Sequence, residues 1–274
     1  MTSIDYSTVV VGLDGSEQSL RALRFAGREV ALRGSDATLV GVAALTDPLG
    51  LGRDDQAEAE RSEALHHHLA SVITDPSIPI EVIAGPPAKV LSEAAASAAL
   101  LVIGKRGHGG FQDLLLGSTA ISCLRLATCP LVVLPNEVED LPQRPIVVGI
   151  DDSSASHRTL AWAVEEAIFR DISIEAIATW RKPHLWEPIQ GSAEHYRALA
   201  ERLLEAAIAS VDPLGRTIEA HCIEGHLAET LVKRSATAGA VVIGNETHEG
   251  GRIHGQSIAI PVIAHAQSPV VACG

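Results

Sequence analysis

The feature that most constrains the fold is an internal repeat. Val10-Val11-Gly12-Leu13-Asp14 recurs as Val147-Val148-Gly149-Ile150-Asp151, and Ile83-Ala84-Gly85 recurs as Ile223-Glu224-Gly225. Val102-Ile103-Gly104 recurs as Val242-Ile243-Gly244, and Cys129-Pro130-Leu131-Val132 as Ser268-Pro269-Val270-Val271. The separations are 137, 140, 140 and 139 residues, so four landmarks in one order indicate a tandem duplication. A chain of 274 residues then divides into two units of ordinary domain size, 1–140 and 141–274. The expected junction is Pro135 to Pro145, which holds three prolines and has no periodicity.

Within the first copy, apolar strands alternate with segments of helical length. Strand one, Ser7 to Leu13, breaks at Asp14-Gly15-Ser16, where Ser16 suits a helix N-cap. Leu20, Leu23, Gly27 and Val30 are expected to line the buried face of the helix that follows, until Gly34 stops it. Strand two is expected at Ala37 to Ala44, helix two within Asp54 to Val72, strand three at Ile80 to Ile83 and helix three at Ala88 to Ala96. Strand four ends the apolar run Leu100 to Ile103, helix four covers Ser118 to Ala127, and strand five is Leu131 to Leu134. Such alternation implies an α/β fold with a parallel sheet and right-handed crossovers in each copy. Nearly continuous apolar strands agree, because strands of that kind are covered on both faces.

The loop after strand four carries the most specific pattern in the chain. Gly104, two residues, Gly107, nine residues and then Gly117-Ser118-Thr119 place bare backbone at a strand end and at a helix start. Free N–H groups and a helix dipole there suit a phosphate. The spacing differs from the dinucleotide fingerprint and lacks the Gly-Lys-Ser/Thr of the Walker loop.

This spacing, with a first strand ending in Asp14, resembles the ATP-binding pattern of the universal stress protein family, and the repeat extends the resemblance over the whole chain as two copies. The resemblance implies two doubly wound five-stranded sheets of order 3-2-1-4-5, whose switch point lies between strands one and four. It implies that Asp14 contacts the adenosine end, that Val42 lies against the base, and that Ile103 is among the nucleotide-binding residues. Gly104, Arg106 and Gly107 would surround the phosphates from one side, and Gly117, Ser118 and Thr119 would supply helix-terminus donors and hydroxyls from the other. Asp14 has a purely local alternative, bracing the turn into the first helix. Lys105 and Arg106 are equally readable as solvated loop charges, and Arg106 is preferred because the family pattern often has a basic residue there.

The second copy departs from that pattern. Gly244 and Ser257 remain, but Thr247 stands where the second glycine belongs, Gln256 where the third belongs, and Gly255 is displaced by one position. One nucleotide per chain is expected, with Asp151 retained largely for structure.

Composition excludes several classes. The halves carry 10 basic and 18 acidic, then 11 basic and 16 acidic residues, so neither offers the basic patch that nucleic acid or an anionic membrane requires. No apolar run is long enough to span a membrane, and no basic-then-apolar leader opens the chain, so a cytoplasmic protein is expected. Cys123, Cys129, Cys222 and Cys273 show no zinc or disulfide spacing and read as reduced structural thiols. His66-His67-His68 point in three directions on a helix and cannot share one ion. His108 and His248 occupy corresponding rim positions with no catalytic partner, and no nucleophile elbow exists. Trp162 and Trp180 are expected in the core.

The resemblance implies ATP binding in a regulatory or protective stress role, with ATP, with or without Mg²⁺, as the ligand and no catalytic residue assigned. The alternatives are a slow ATPase at the same site, a cyclic-AMP binder, or a nucleotide-free interaction protein. The family resemblance further implies that the fifth strands of the two copies pair as an internal pseudo-dimer. It leaves open a homodimer and a signalling partner protein.

Overall fold

The structure is a computed structural model that describes residues 7–34, 36–46, 55–73, 75–107, 115–137, 143–153, 155–182, 192–245 and 256–274. The chain forms two compact units, Met1–Asn136 and Glu137–Gly274.

The first unit runs β1 (Thr8–Gly12), α1 (Glu17–Arg33), β2 (Thr38–Leu45), α2 (Asp55–Val72), β3 (Ile80–Ala84), α3 (Pro87–Ala94), β4 (Leu100–Gly104), α4 (Ser118–Leu126) and β5 (Leu131–Leu134). Its strands are parallel in the order β3-β2-β1-β4-β5, the order that the family resemblance implies. The second unit runs β6 (Ile146–Ile150), α5 (Ala155–Arg170), β7 (Ile174–Trp180), α6 (Ala193–Ala209), β8 (Ile218–Glu224), α7 (Leu227–Arg234), β9 (Ala240–Gly244), α8 (Gln256–His265) and β10 (Val270–Cys273). Its order, β10-β9-β6-β7-β8, is the same topology. Right-handed crossovers put α1 and α2 on one face of the first sheet and α3 and α4, which pack on each other, on the opposite face.

The core of each unit is its central strands. Val9, Val11, Leu101 and Val102 are fully buried, as are Val148, Val241, Val242 and Ile243 in the second unit. Alternate side chains of a strand point to opposite faces, so burial of consecutive residues requires cover on both sides.

Helix α1 turns a different face inward from the one its large apolar residues suggest. Ser16 caps it, accepting from the Ser19 amide at 3.2 Å. The buried stripe is Ser19, Ala22, Leu23, Ala26 and Glu29, shared with the expected face only at Leu23. The strands already fill the layer with branched side chains, so the helix comes closest where its own residues are small. Glu29 joins the stripe because Arg33, one turn on, pairs with it at 2.7 Å. Trp162 and Trp180 are half-buried and not in the core. His66, His67 and His68 are exposed on α2. No helix among the described residues is long and apolar enough to cross a membrane.

Candidate functional site at the first switch point

The carboxyl ends of β1 and β4 diverge to β2 and β5 respectively, which opens a crevice between them. A cavity of about 640 Å³ occupies it. Five separate stretches of sequence converge there, and all nine site residues expected from the sequence and its family resemblance line the cavity: Asp14, Val42, Ile103, Gly104, Arg106, Gly107, Gly117, Ser118 and Thr119.

The β1 end is held by local bonds. Leu13 donates its amide to the Val42 carbonyl at 2.8 Å, which continues the ladder and seats Val42, 1% exposed, beside the crevice floor. The chain then turns through Gly15 at φ +77°, a conformation that glycine adopts without Cβ strain. Asp14 Oδ1 accepts the Ser16 amide at 3.0 Å, and the Asp14 amide meets Ser19 Oγ at 3.4 Å. Asp14 thus braces the turn with one oxygen, while its other, Oδ2, faces Gly107 so closely that a Cβ there would collide with it.

On the opposite wall, Lys105 continues the β4 ladder by donating to the Leu134 carbonyl at 3.1 Å, and its own carbonyl accepts the Gly117 amide at 3.0 Å. This second bond ties the start of α4 to the end of β4. Gly117 is the N-cap, with φ −74° and no side-chain cap, so Ser118 begins the helix proper. The first-turn amides of α4 have no partner within the helix, and Ser118, Thr119 and Ala120 line the cavity wall, a geometry of the kind that suits an anion.

Glycine is present at 104 for a reason that needs no ligand. A Cβ there would come within 2.9 Å of the Gln18 Cβ and 3.1 Å of the Gln18 backbone, so α1 crosses β4 at this point. Gly244 repeats the relation, its Cβ position lying 2.7 Å from the Ala155 Cβ of α5. Helix packing therefore accounts for the glycine that both copies keep.

Lys105 departs from the solvated reading, being only 7% exposed. Burial, and next the adjacent Arg106 guanidinium, hold its ammonium below the usual lysine range. The sequence gives no sign of this, because a charged residue between two glycines looks like a surface loop. Ser19 was also missed, although its recurrence as Ser156, 137 residues on, was available as a signal.

In the second unit, Asp151 Oδ1 accepts the Ser153 amide at 3.1 Å and Ser156 Oγ at 2.8 Å, and the Asp151 amide meets Ser156 Oγ at 2.9 Å. Asn245, 5% exposed, stands where Lys105 stands in the first unit. Thr247, His248 and Gly255, together with His108 of the first copy, lie outside the described residues. Cys123 and Cys129 are buried, and burial pushes both thiols up to about 11, which makes them inert at neutral pH.

The chain is 29% identical to universal stress protein Rv2623 of Mycobacterium tuberculosis, covering 96% of this chain and 95% of that one. A crystal structure of a universal stress protein from Archaeoglobus fulgidus superposes over 98% of both chains with a TM-score of 0.72 at 19% identity, a likeness of fold. A universal stress protein solved in complex with cAMP covers 48% of this chain, with a TM-score of 0.36 and 26% identity. The model of the universal stress protein family matches twice, over residues 5–135 and 143–274, and the chain therefore belongs to that family as a tandem of two copies.

Proposed function

We propose that the first unit binds ATP in the switch-point crevice and that the protein serves in the cytoplasm as a nucleotide-dependent regulator under stress. The observation that carries this reading is the meeting of Asp14, Gly107 and the uncapped start of α4 around one cavity of nucleotide size. The cradle fits the group: Gly107 has no room for a Cβ beside Asp14, and a Cβ on Gly117 would press within 3.3 Å of the Lys105 carbonyl. Phosphates would lie against the amides of Gly107, Ser118 and Thr119, with Lys105 and Arg106 supplying positive charge. The ribose would meet Asp14 and the base Val42. Among the described residues no group of three or more His, Cys, Asp and Glu could hold a metal ion. A magnesium ion would therefore arrive on the phosphates, with Asp14 the carboxylate lining the cavity.

The second unit is proposed to bind none, since its loop lacks the second and third glycines and Asn245 replaces Lys105. A partner protein that reads the occupied loop belongs to the same proposal. Titration calorimetry of the full chain with ATP tests it, the expected stoichiometry being one per chain. Absence of binding at millimolar ATP refutes the site, and a stoichiometry of two refutes the assignment of the second unit.

A further inference from the structure

A second cavity, of about 410 Å³, opens at the carboxyl ends of β2 and β3. Its walls are apolar at Leu45, Ala84 and Pro86 and polar at Glu58 and Arg61 of α2. Thr46 lines both this cavity and the switch-point crevice, so the two share a wall.

Strand order fixes the direction in which a ligand runs. Phosphates at the end of β4, ribose at β1 and base at β2 follow β4-β1-β2, and the next strand in that direction is β3. In the nucleotide pose proposed above, the purine is tied to ribose through N9, and its far edge, which bears the exocyclic amine at C6, would turn toward β3. The space beyond such an edge would be the second cavity, which meets the crevice at Thr46.

We infer that this cavity is a subsite for a substituent on the exocyclic nitrogen of the adenine ring, and that the crevice accepts N6-substituted adenine nucleotides bearing an apolar aryl or alkyl group. The inference rests on the nucleotide reading of the crevice and extends it from the phosphate and sugar to the outer edge of the base. Apolar walls favour a hydrocarbon substituent, and the Glu58 and Arg61 rim tolerates a polar end. An enclosed base pocket would reject any such group, because there is no volume for it.

The test compares ATP with N6-benzyl-ATP by titration calorimetry on the full chain and on the variant Ala84→Phe. Ala84 is exposed on β3, so the larger side chain projects into the cavity without disturbing the core. The native chain is expected to bind N6-benzyl-ATP as tightly as ATP within about threefold, and Ala84→Phe to weaken N6-benzyl-ATP by about tenfold or more while leaving ATP unchanged. Glu58→Phe fills the same cavity from α2 and gives the same reading where Ala84→Phe alters the thermal unfolding. The inference is overturned if the native chain binds N6-benzyl-ATP more than about tenfold more weakly than ATP, or if filling the cavity affects both ligands equally or neither. Failure of ATP itself to bind removes the nucleotide reading and this inference with it, a result distinct from loss of N6-benzyl-ATP binding alone.

Discussion

Asp14 Oδ2 lies directly against the α-carbon of Gly107, so that a Cβ added at 107 would fall on the carboxylate. The two residues are 93 positions apart in the chain and meet because β1 and β4 are neighbours in the sheet. Gly107→Ala cannot be accepted without moving either the loop or Asp14. Because Gly107 is exposed and outside the core, the cost falls on the site. ATP affinity is expected to drop by about tenfold or more, with the melting temperature nearly unchanged. Calorimetry and thermal unfolding of the same sample check both halves, and an unaltered affinity refutes the account of Gly107.

Glu29 and Arg33 form an ion pair whose side chains are only 2% and 4% exposed. Removing one charge leaves the other buried without this partner. Glu29→Gln is expected to cost about 3 kcal/mol, whereas the double change Glu29→Leu with Arg33→Met recovers most of it. The equivalent pair in the second unit, Glu166 and Arg170, is longer at 3.5 Å and wetter on the arginine side, so Glu166→Gln should cost less. Denaturant unfolding of the three variants checks the order.

The buried thiols give a pH signature. Cys123 and Cys129 are raised from an ordinary 9.0 to about 11 by burial, so the folded state holds protons that the unfolded chain releases first. Their contribution to stability is complete below pH 9.0 and is lost as pH rises to about 11, at about 1.4 kcal/mol per pH unit for each thiol. Cys129→Ala is expected to flatten the decline of the unfolding midpoint across that window. Equal slopes in the native chain and the variant refute the assignment.

Some of this was legible in the sequence and some was not. The strand and helix sequence, the repeat and the glycine loop were readable because apolar runs, fixed spacings and missing side chains leave one-dimensional traces, whereas the strand order came only from the family resemblance that the glycine spacing carried. The inward face of α1 was not, because Ala22 and Ala26 are buried for their small size, which a search for large apolar residues overlooks. Glu29 and Lys105 were not, because a charged residue is normally solvated and only the three-dimensional fold reveals its burial. Gly104 was legible as a special position but for an incomplete reason, since the body under it is Gln18 of α1.

Lys105 predicts opposite effects on stability and on binding. Its ammonium is held below the usual range by burial and by Arg106, so the fold disfavours the charged form. A lysine with a depressed pKa is least costly above its unfolded pKa, and the fold loses stability as pH falls through the folded one. At neutral pH the cost is present, so Lys105→Met should raise the melting temperature. The same variant loses positive charge at the phosphate end of the crevice, and ATP affinity is expected to fall by about tenfold. A variant that is more stable and binds ATP as well as the native chain refutes the role given to Lys105.

Gly117 separates folding from binding most sharply. As the N-cap of α4 it has an extended backbone, φ −74° and ψ 150°, that any residue adopts, and aspartate is among the preferred residues at such a cap. A carboxylate there accepts the first-turn amides and interacts favourably with the helix dipole, so Gly117→Asp should leave α4 intact or firmer. Those are the amides that the phosphates are proposed to use, and the new negative charge stands where theirs would be. The added Cβ meets the Lys105 carbonyl at 3.3 Å, a contact that a shift of a few tenths of an ångström relieves. The unfolding midpoint is therefore expected to hold or rise while ATP affinity falls by about a hundredfold, the sum of blocked donors and like-charge repulsion. Retained ATP binding in a well-folded Gly117→Asp protein means that the phosphates lie elsewhere, and the crevice then loses its claim to the nucleotide.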